Sequence, residues 1–166
     1  MWVTIACNIP TLCLMILLAF VAPRAGVPIS LFPAAVGAIL FAGSGYVCEA
    51  VRSGINSVAK GQIEAARALG MPFGLIIREV VLPQALARTV QPLVNVFISC
   101  LIGSALAAAI GVHELTHATQ QLNLRYAEAV FTFLLSGLTY LALAFGATRL
   151  GGLIERRLAG GREVRA

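Results

Sequence analysis

Long runs of apolar residues constrain this chain more than any other feature of its sequence. The run AVFTFLLSGLTYLALAFGAT, residues 129–148, contains no charged side chain. A helix of about 20 apolar residues crosses the hydrocarbon core of a bilayer, which is about 30 Å thick. Only 11% of the 166 residues are charged, whereas about 25% are charged in a soluble domain. The sequence therefore predicts an all-α integral membrane protein.

Three further apolar stretches predict a bundle of about four transmembrane helices in a single domain, residues 1–166. The first stretch is the weakest, because Asn8 and Pro10 interrupt it and proline lacks the backbone N–H that a helix interior uses. Four spans would place both ends of the chain on the same side of the membrane. The predicted spans are residues 2–22, 31–50, 89–112 and 129–150.

The distribution of basic residues predicts the orientation. The loops on one side hold only Arg24 and Arg125, whereas the linker between the second and third spans and the C-terminal tail hold the other ten. Because Lys and Arg are enriched in cytoplasmic loops, the linker and the C-terminus are predicted to be cytoplasmic. The net charge of +5 then follows from topology, with some attraction to anionic membrane lipid. Nucleic-acid binding is not needed to explain it. The ten residues are Arg52, Lys60, Arg67, Arg78, Arg88, Arg149, Arg156, Arg157, Arg162 and Arg165.

The stretch HELTH, residues 113–117, matches the zinc-protease signature H-E-x-x-H. His113 and His117 would bind the metal and Glu114 would act as general base. A zinc hydrolase needs a third protein ligand, and the sequence contains no Asp and no other His. A membrane zinc metalloprotease is therefore the alternative function. The preferred interpretation is a pair of solvated histidines and no metal site.

The linker, residues 52–86, predicts a helix-turn-helix at the membrane surface. Ser57 is a candidate N-cap for a segment rich in helix formers. Gly70 fits the C′ position, where a residue without a β-carbon adopts a left-handed conformation at little cost. Pro72 can open the next helix, and Pro83 limits how that helix runs into the following span.

An apolar stripe at helical spacing runs along the first of these two helices. It consists of Ile63, Ala66 and Leu69. The pattern alone fits packing on the chain's own bundle as well as packing on a partner protein.

The sequence of the linker resembles the signature loop of ABC-importer permeases. In that loop E-A-A is followed after three residues by Gly, and after nine more by an aliphatic residue, any residue and Leu-Pro. The stretches IGVHELTHATQQ and GLIERRL are also similar to permeases of the histidine and glutamine uptake type, and the resemblance covers most of residues 8–158 in order. The matching positions are Glu64, Ala65, Ala66, Gly70, Val80, Leu82 and Pro83.

The resemblance implies the fold of a type I ABC importer permease and a transport role with no catalytic residue in this chain. In that family the E-A-A helix inserts into a groove on a cytoplasmic ATPase. The implied partners are that ABC ATPase, which binds ATP and Mg, a second permease subunit (identical or homologous), and a periplasmic or lipid-anchored amino-acid-binding protein. The implied location is the bacterial inner membrane, crossed several times.

The resemblance also implies roles for the linker residues. Ala65 and Ala66 would be small so that the helix seats closely in the groove, and Gly70 would permit the turn that follows. Glu64 would offer a charge to the groove or cap its own helix.

Polar side chains on the spans are candidates for lining the substrate path. Gln91, Asn95 and Ser99 share a helix face, because they lie four residues apart. Hydrogen bonding between helices is the alternative role for such residues. The full set is Ser44, Tyr46, Gln91, Asn95, Ser99 and Ser104.

The chain departs from the family pattern within the third span. Val96, Ile102 and Gly103 stand where the family usually has Glu, Lys and Asp, and ionisable groups within spans are functional candidates. We expect that this chain either contributes less to amino-acid recognition than the partner subunit does or handles a less polar substrate.

The chain also begins near the second span of the family, so the first helix is expected to be missing. A truncated, non-functional permease remnant is a further alternative.

Overall fold

The computed structural model describes residues 1–160, and every regular element in that range is helical. Three of the helices, α3, α5 and α7, are long and apolar enough to cross a membrane. The described part of the chain thus has the all-α membrane architecture that the sequence predicts. The helices are α1 (Trp2–Asn8), α2 (Thr11–Arg24), α3 (Leu31–Asn56), α4 (Lys60–Ala68), α5 (Phe73–Ile110), α6 (Leu115–Tyr126) and α7 (Ala129–Gly160).

The predicted first span, residues 2–22, is not one straight helix. It consists of α1 and α2, whose axes are bent by 93° at the break between them. Pro10 lies at this break with an extended backbone, φ −61° and ψ 119°. By itself α2 rises about 21 Å, which is short for a bilayer core of about 30 Å. The pair amounts to a fourth span only if both helices are counted together.

The second helix of the linker and the third predicted span form one continuous helix, α5. It begins with an α-helical turn, Phe73–Leu75; Ile76–Val81 then has the wide hydrogen-bonding pattern of a π-helix, and Leu82–Gly103 is α-helical. Pro83 has no N–H, and in a regular α-helix its ring would collide with the carbonyl four residues earlier. The wide turn immediately before Pro83 relieves that collision, so the helix continues through it.

One compact unit comprises Met1–Tyr46 and Phe97–Phe145. Its core is rich in alanine, which allows helix backbones to approach closely. The last part of α5, Ser104–Ile110, tightens to a 3-10 helix that ends at Gly111, with φ 88°. The buried residues of the core are Met15, Ala19, Ala34, Ala35, Ala38, Ala107, Ile110 and Val112.

The other compact unit comprises Val47–Val96 and the part of the chain that begins at Gly146. It contains the end of α3, the linker, the first part of α5 and the last part of α7. Its core forms where α4 packs on the beginning of α5. The buried residues are Val58, Ala66, Ile76, Val81 and Ala85, with Ile63, Met71 and Val80 packed against them.

Candidate functional site: the linker and the polar side chains of the spans

The turn after α4 closes with the hydrogen bonds of a Schellman motif. The N–H of Met71 donates to the carbonyl of Ala66 at 3.2 Å, and the N–H of Gly70 donates to the carbonyl of Arg67 at 2.9 Å. Gly70 adopts a φ of 76°, the left-handed conformation expected at C′. The turn reverses the chain within a few residues and leads it into α5.

The inner face of α4 packs against the linker's own core. Ala66 is 5% exposed and belongs to that core, and Ile63 packs against it. The small size of Ala66 therefore serves the contact between α4 and α5 within the chain. Ala66 also borders the open groove on the outer side of the linker, and its docking role stays a prediction.

The outer face of the linker carries the remaining E-A-A residues and two exposed apolar side chains. Glu64 and Ala65 are exposed. Leu69 is 83% exposed and Phe73 is 68% exposed, on either side of the Gly70 turn. The predicted stripe is therefore divided, because Ile63 and Ala66 point inward while Leu69 points outward. An open groove beside this surface is lined by Gln62, Ala65, Ala66, Leu69, Met71, Glu79, Val80 and Gln84.

The three C-terminal residues of the signature lie on α5. Val80 packs against the linker core, Leu82 is exposed and Pro83 is half-buried.

The prediction that Ser57 caps the start of α4 was wrong. The helix begins after Ala59, and the hydroxyl of Ser57 donates to the carbonyl of Gly54 at 2.6 Å. Ser57 thus closes the end of α3 rather than the start of α4.

The candidate path residues fall into separate environments. Tyr46 and Ser99 both line one small concavity, and the hydroxyl of Tyr46 donates to the carbonyl of Cys7 at 3.1 Å. Ser44 and Ser104 donate to carbonyls of their own helices, at 2.7 Å in each case. The complete lining of the concavity is Thr11, Ile39, Ala42, Gly43, Tyr46, Ser99, Cys100 and Gly103.

Gln91 has a partner that the sequence did not indicate. Its side-chain amide donates to the carboxylate of Glu155 on α7 at 3.0 Å. The sequence places the two residues 64 positions apart, and no pattern relates them. Gln91 therefore joins two helices, which is the alternative role considered for these residues. Asn95, one turn later on α5, is exposed.

The HELTH stretch lies across the start of a helix rather than on one helical face. Glu114 is the N-cap of α6, with an extended backbone, and one carboxylate oxygen accepts from the N–H of His117 at 2.6 Å. The other accepts from the hydroxyl of Tyr140 on α7 at 2.9 Å. The zinc-protease signature needs both histidines on one face of a helix, with the glutamate turned to the metal. Here His113 precedes the helix, and both oxygens of Glu114 are engaged elsewhere.

Sequence reasoning missed three residues that organise the structure. They are Arg88, which binds the backbone at the end of α3, Tyr140, which binds Glu114, and Glu155, which binds Gln91. Each acts through a contact between residues distant in sequence. For Arg88 and Glu155 the available signal is a charged residue near the end of a span, which marks them only as candidates; Tyr140 has no such signal.

Comparison with known proteins identifies relatives over most of the chain. The family of binding-protein-dependent transport system inner membrane components matches residues 1–160. A probable glutamine ABC transporter permease of Bacillus subtilis is 35% identical over 153 residues, 90% of this chain and 70% of that protein. A glutamate transport system permease of Corynebacterium glutamicum is 40% identical over 126 residues, 74% of this chain and 54% of that protein. The matching region thus spans 70% of the length of the first relative and 54% of the length of the second.

Solved structures of ABC transporters are also similar to the chain over most of its length. The structure of an amino acid ABC transporter with histidines matches with a TM-score of 0.84 and 31% identity, over 94% of this chain and 73% of that one. An inward-facing methionine ABC transporter shares the fold, with a TM-score of 0.71 at 24% identity. The family match, the identity to these permeases and the shared fold agree. The chain is a member of the family of inner membrane components of binding-protein-dependent transport systems.

Proposed function

We propose that the chain is a permease subunit of an ATP-driven importer of polar amino acids. The family match supports the role in transport, and the names of the relatives, which include glutamine, arginine and glutamate permeases, support the class of substrate. In this proposal the chain contributes no catalytic residue. ATP and Mg are bound by a partner ATPase.

The single observation that carries the proposed coupling is the exposed apolar surface beside the Gly70 turn. Leu69 and Phe73 are large, exposed and outside the apolar stretches predicted as spans. Exposed apolar patches of this kind mark sites of protein–protein interaction. We assign Leu69 and Phe73, with Glu64 and Ala65, to the surface that docks on the ATPase.

A single helix, α5, connects this surface to the predicted membrane span. Phe73 is the first residue of α5, which continues to Ile110. A helix transmits displacement along its axis because each turn is hydrogen-bonded to the next. Movement of the ATPase against the linker would therefore reach Ser99 and Ser104, which lie on the same helix.

The proposal also includes the orientation of the chain in the membrane and the proteins that assemble with it. The basic residues support a cytoplasmic linker and C-terminus. A second permease subunit, identical or homologous, would complete the translocation path, and a periplasmic or lipid-anchored binding protein would deliver the amino acid. Tyr46 and Ser99 would line that path, since they border the same concavity.

Co-purification tests the docking surface. The chain is tagged in its native host, membranes are extracted in mild detergent, and co-purifying proteins are identified by mass spectrometry. We expect an ABC ATPase with the unaltered chain and its loss in the double variant Leu69→Asp, Phe73→Asp. Leu124→Asp is the matched control, because Leu124 is 78% exposed on α6. Recovery of the chain without any ATPase, or an ATPase retained by the double variant, would contradict the proposal.

A further inference from the structure

We propose that Arg88 is a positioning residue that fastens the end of α3 to α5, so that the linker helix α4 and both flanking helices move together. The inference rests on the proposed function, because it concerns how movement of the linker is passed on. Arg88 lies outside the E-A-A signature, and its contact joins residues 31 positions apart.

The first observation is the contact itself. The guanidinium Nη1 of Arg88 donates to the backbone carbonyl of Ser57. Ser57 directly follows Asn56, the last residue of α3. Carbonyls at the end of a helix lack partners within the helix and carry partial negative charge. The cationic side chain of Arg88 thus supplies both a donor and a favourable charge where α3 ends.

The second observation is the close approach of the two helices beside this contact. Gly54 of α3 lies so close to Thr89 of α5 that a β-carbon at position 54 would overlap the Thr89 side chain and lie 3.0 Å from the carbonyl of Ala85. Thr89 is buried, and its hydroxyl donates to that same carbonyl at 2.6 Å. The end of α3 is therefore packed on α5 as well as hydrogen-bonded to it.

These contacts fix α4 at both ends to the same helix. Before α4, Ser57 is bound by Arg88, and after α4 the Gly70 turn leads directly into α5. Between these points Ala66 is buried in the core shared with α5. With Arg88 in place, a force on the outer face of α4 acts on α3 and α5 together. Without it, the segment between α3 and α4 gains freedom, and α3 is linked to the movement only through the packing of Gly54 on Thr89.

The test uses the complete importer reconstituted in proteoliposomes with its ATPase and binding protein. The measured quantity is the amount of amino acid transported per ATP hydrolysed. Arg88→Met keeps the length of the side chain and removes its donors, whereas Arg88→Lys keeps a charge and donors. Arg52→Met is the matched control, because Arg52 is exposed and pairs with Glu49 on its own helix.

We expect Arg88→Met to lower the transport per ATP by about fivefold or more, with the ATPase still bound and still hydrolysing ATP. Arg88→Lys should recover most of the ratio, and Arg52→Met should not change it. An unchanged ratio in Arg88→Met would overturn the inference. Absence of Arg88→Met from the membrane, with Arg88→Lys present, would also overturn it, because the contact would then serve folding. An unaltered importer that does not couple ATP hydrolysis to uptake would instead reject the proposed function itself.

Discussion

Glu114 binds Tyr140 and so joins the start of α6 to the side of α7. The carboxylate accepts from the Tyr140 hydroxyl at 2.9 Å and from the N–H of His117 at 2.6 Å, while the hydroxyls of Thr116 and Tyr140 lie 3.3 Å apart. One side chain thus serves as a helix cap and as a bridge between two helices. This arrangement gives the HELTH stretch a structural role, because Glu114 both caps α6 and joins it to α7.

Replacement of Glu114 by Ala should lower the stability of the detergent-solubilised protein. Loss of a helix cap costs about 0.5–2 kcal/mol, and loss of the hydrogen bond from the Tyr140 hydroxyl adds to that cost. Thermal unfolding measures the effect. His113→Ala is the control and should lower the unfolding temperature less, because His113 is exposed, lies before the helix and loses a ring contact with His117 but no helix cap. Zinc that co-purifies with the protein and is lost in His113→Ala would instead favour the protease alternative.

Gly70→Ala should destabilise the linker, and Gly74→Ala should not. A β-carbon would meet no neighbouring atom within 4 Å at either position, but only Gly70 has a positive φ. An alanine at Gly70 therefore costs about 1–2 kcal/mol through backbone conformation alone. Hydrogen exchange of the linker amides distinguishes the two variants. Equal protection in both variants would show that the turn does not depend on the left-handed conformation.

Gly54→Ala should separate the end of α3 from α5. The new methyl group would overlap the Thr89 side chain, and overpacking of this kind costs about 1–3 kcal/mol. Thr89→Ala should relieve part of that cost in the double variant, which a double-mutant cycle on unfolding temperature would detect. Gly137→Ala is the control, since nothing lies within 4 Å of its β-carbon position. If Gly54→Ala behaved like Gly137→Ala, the close approach would be disproved.

Charges introduced near the concavity should change which amino acids are transported. Gly103 lines the concavity, and the β-carbon of a Gly103→Asp variant would meet no atom within 4 Å. Together with Ile102→Lys it restores residues usual in the family. We expect the variant to favour more polar or charged amino acids in competition uptake assays. An unchanged order of preference would count against both a less polar substrate and a reduced part in recognition.

The features that the sequence predicted well are local or compositional. Apolar stretches of sufficient length predicted helices α3, α5 and α7, and Pro10 predicted the disturbance of the first span. The turn at Gly70 follows from residues within one short segment. The cap of α4 was predicted wrongly because the Ser57 hydroxyl has a competing acceptor, the carbonyl of Gly54, which is available only after α3 has formed.

The features that the sequence did not predict depend on contacts between distant residues or on helix geometry. Nothing in the pattern distinguishes the π-helical part of α5 from an ordinary turn, so Pro83 was expected to limit the helix rather than lie within it. The partners of Arg88 and Gln91 lie 31 and 64 positions away. The E-A-A signature predicted a docking role for Ala66. It did not predict that Ala66 is buried against α5, because that burial depends on how α4 folds back on α5.

Uptake by the reconstituted importer tests the central proposal most directly. The chain is placed in proteoliposomes with the co-purifying ATPase and the binding protein, and uptake of radiolabelled glutamine is measured with and without ATP. The proposal predicts uptake that requires both ATP and this chain and that is lost in the Leu69→Asp, Phe73→Asp variant. Uptake independent of ATP, or unchanged when this chain is omitted, would contradict it.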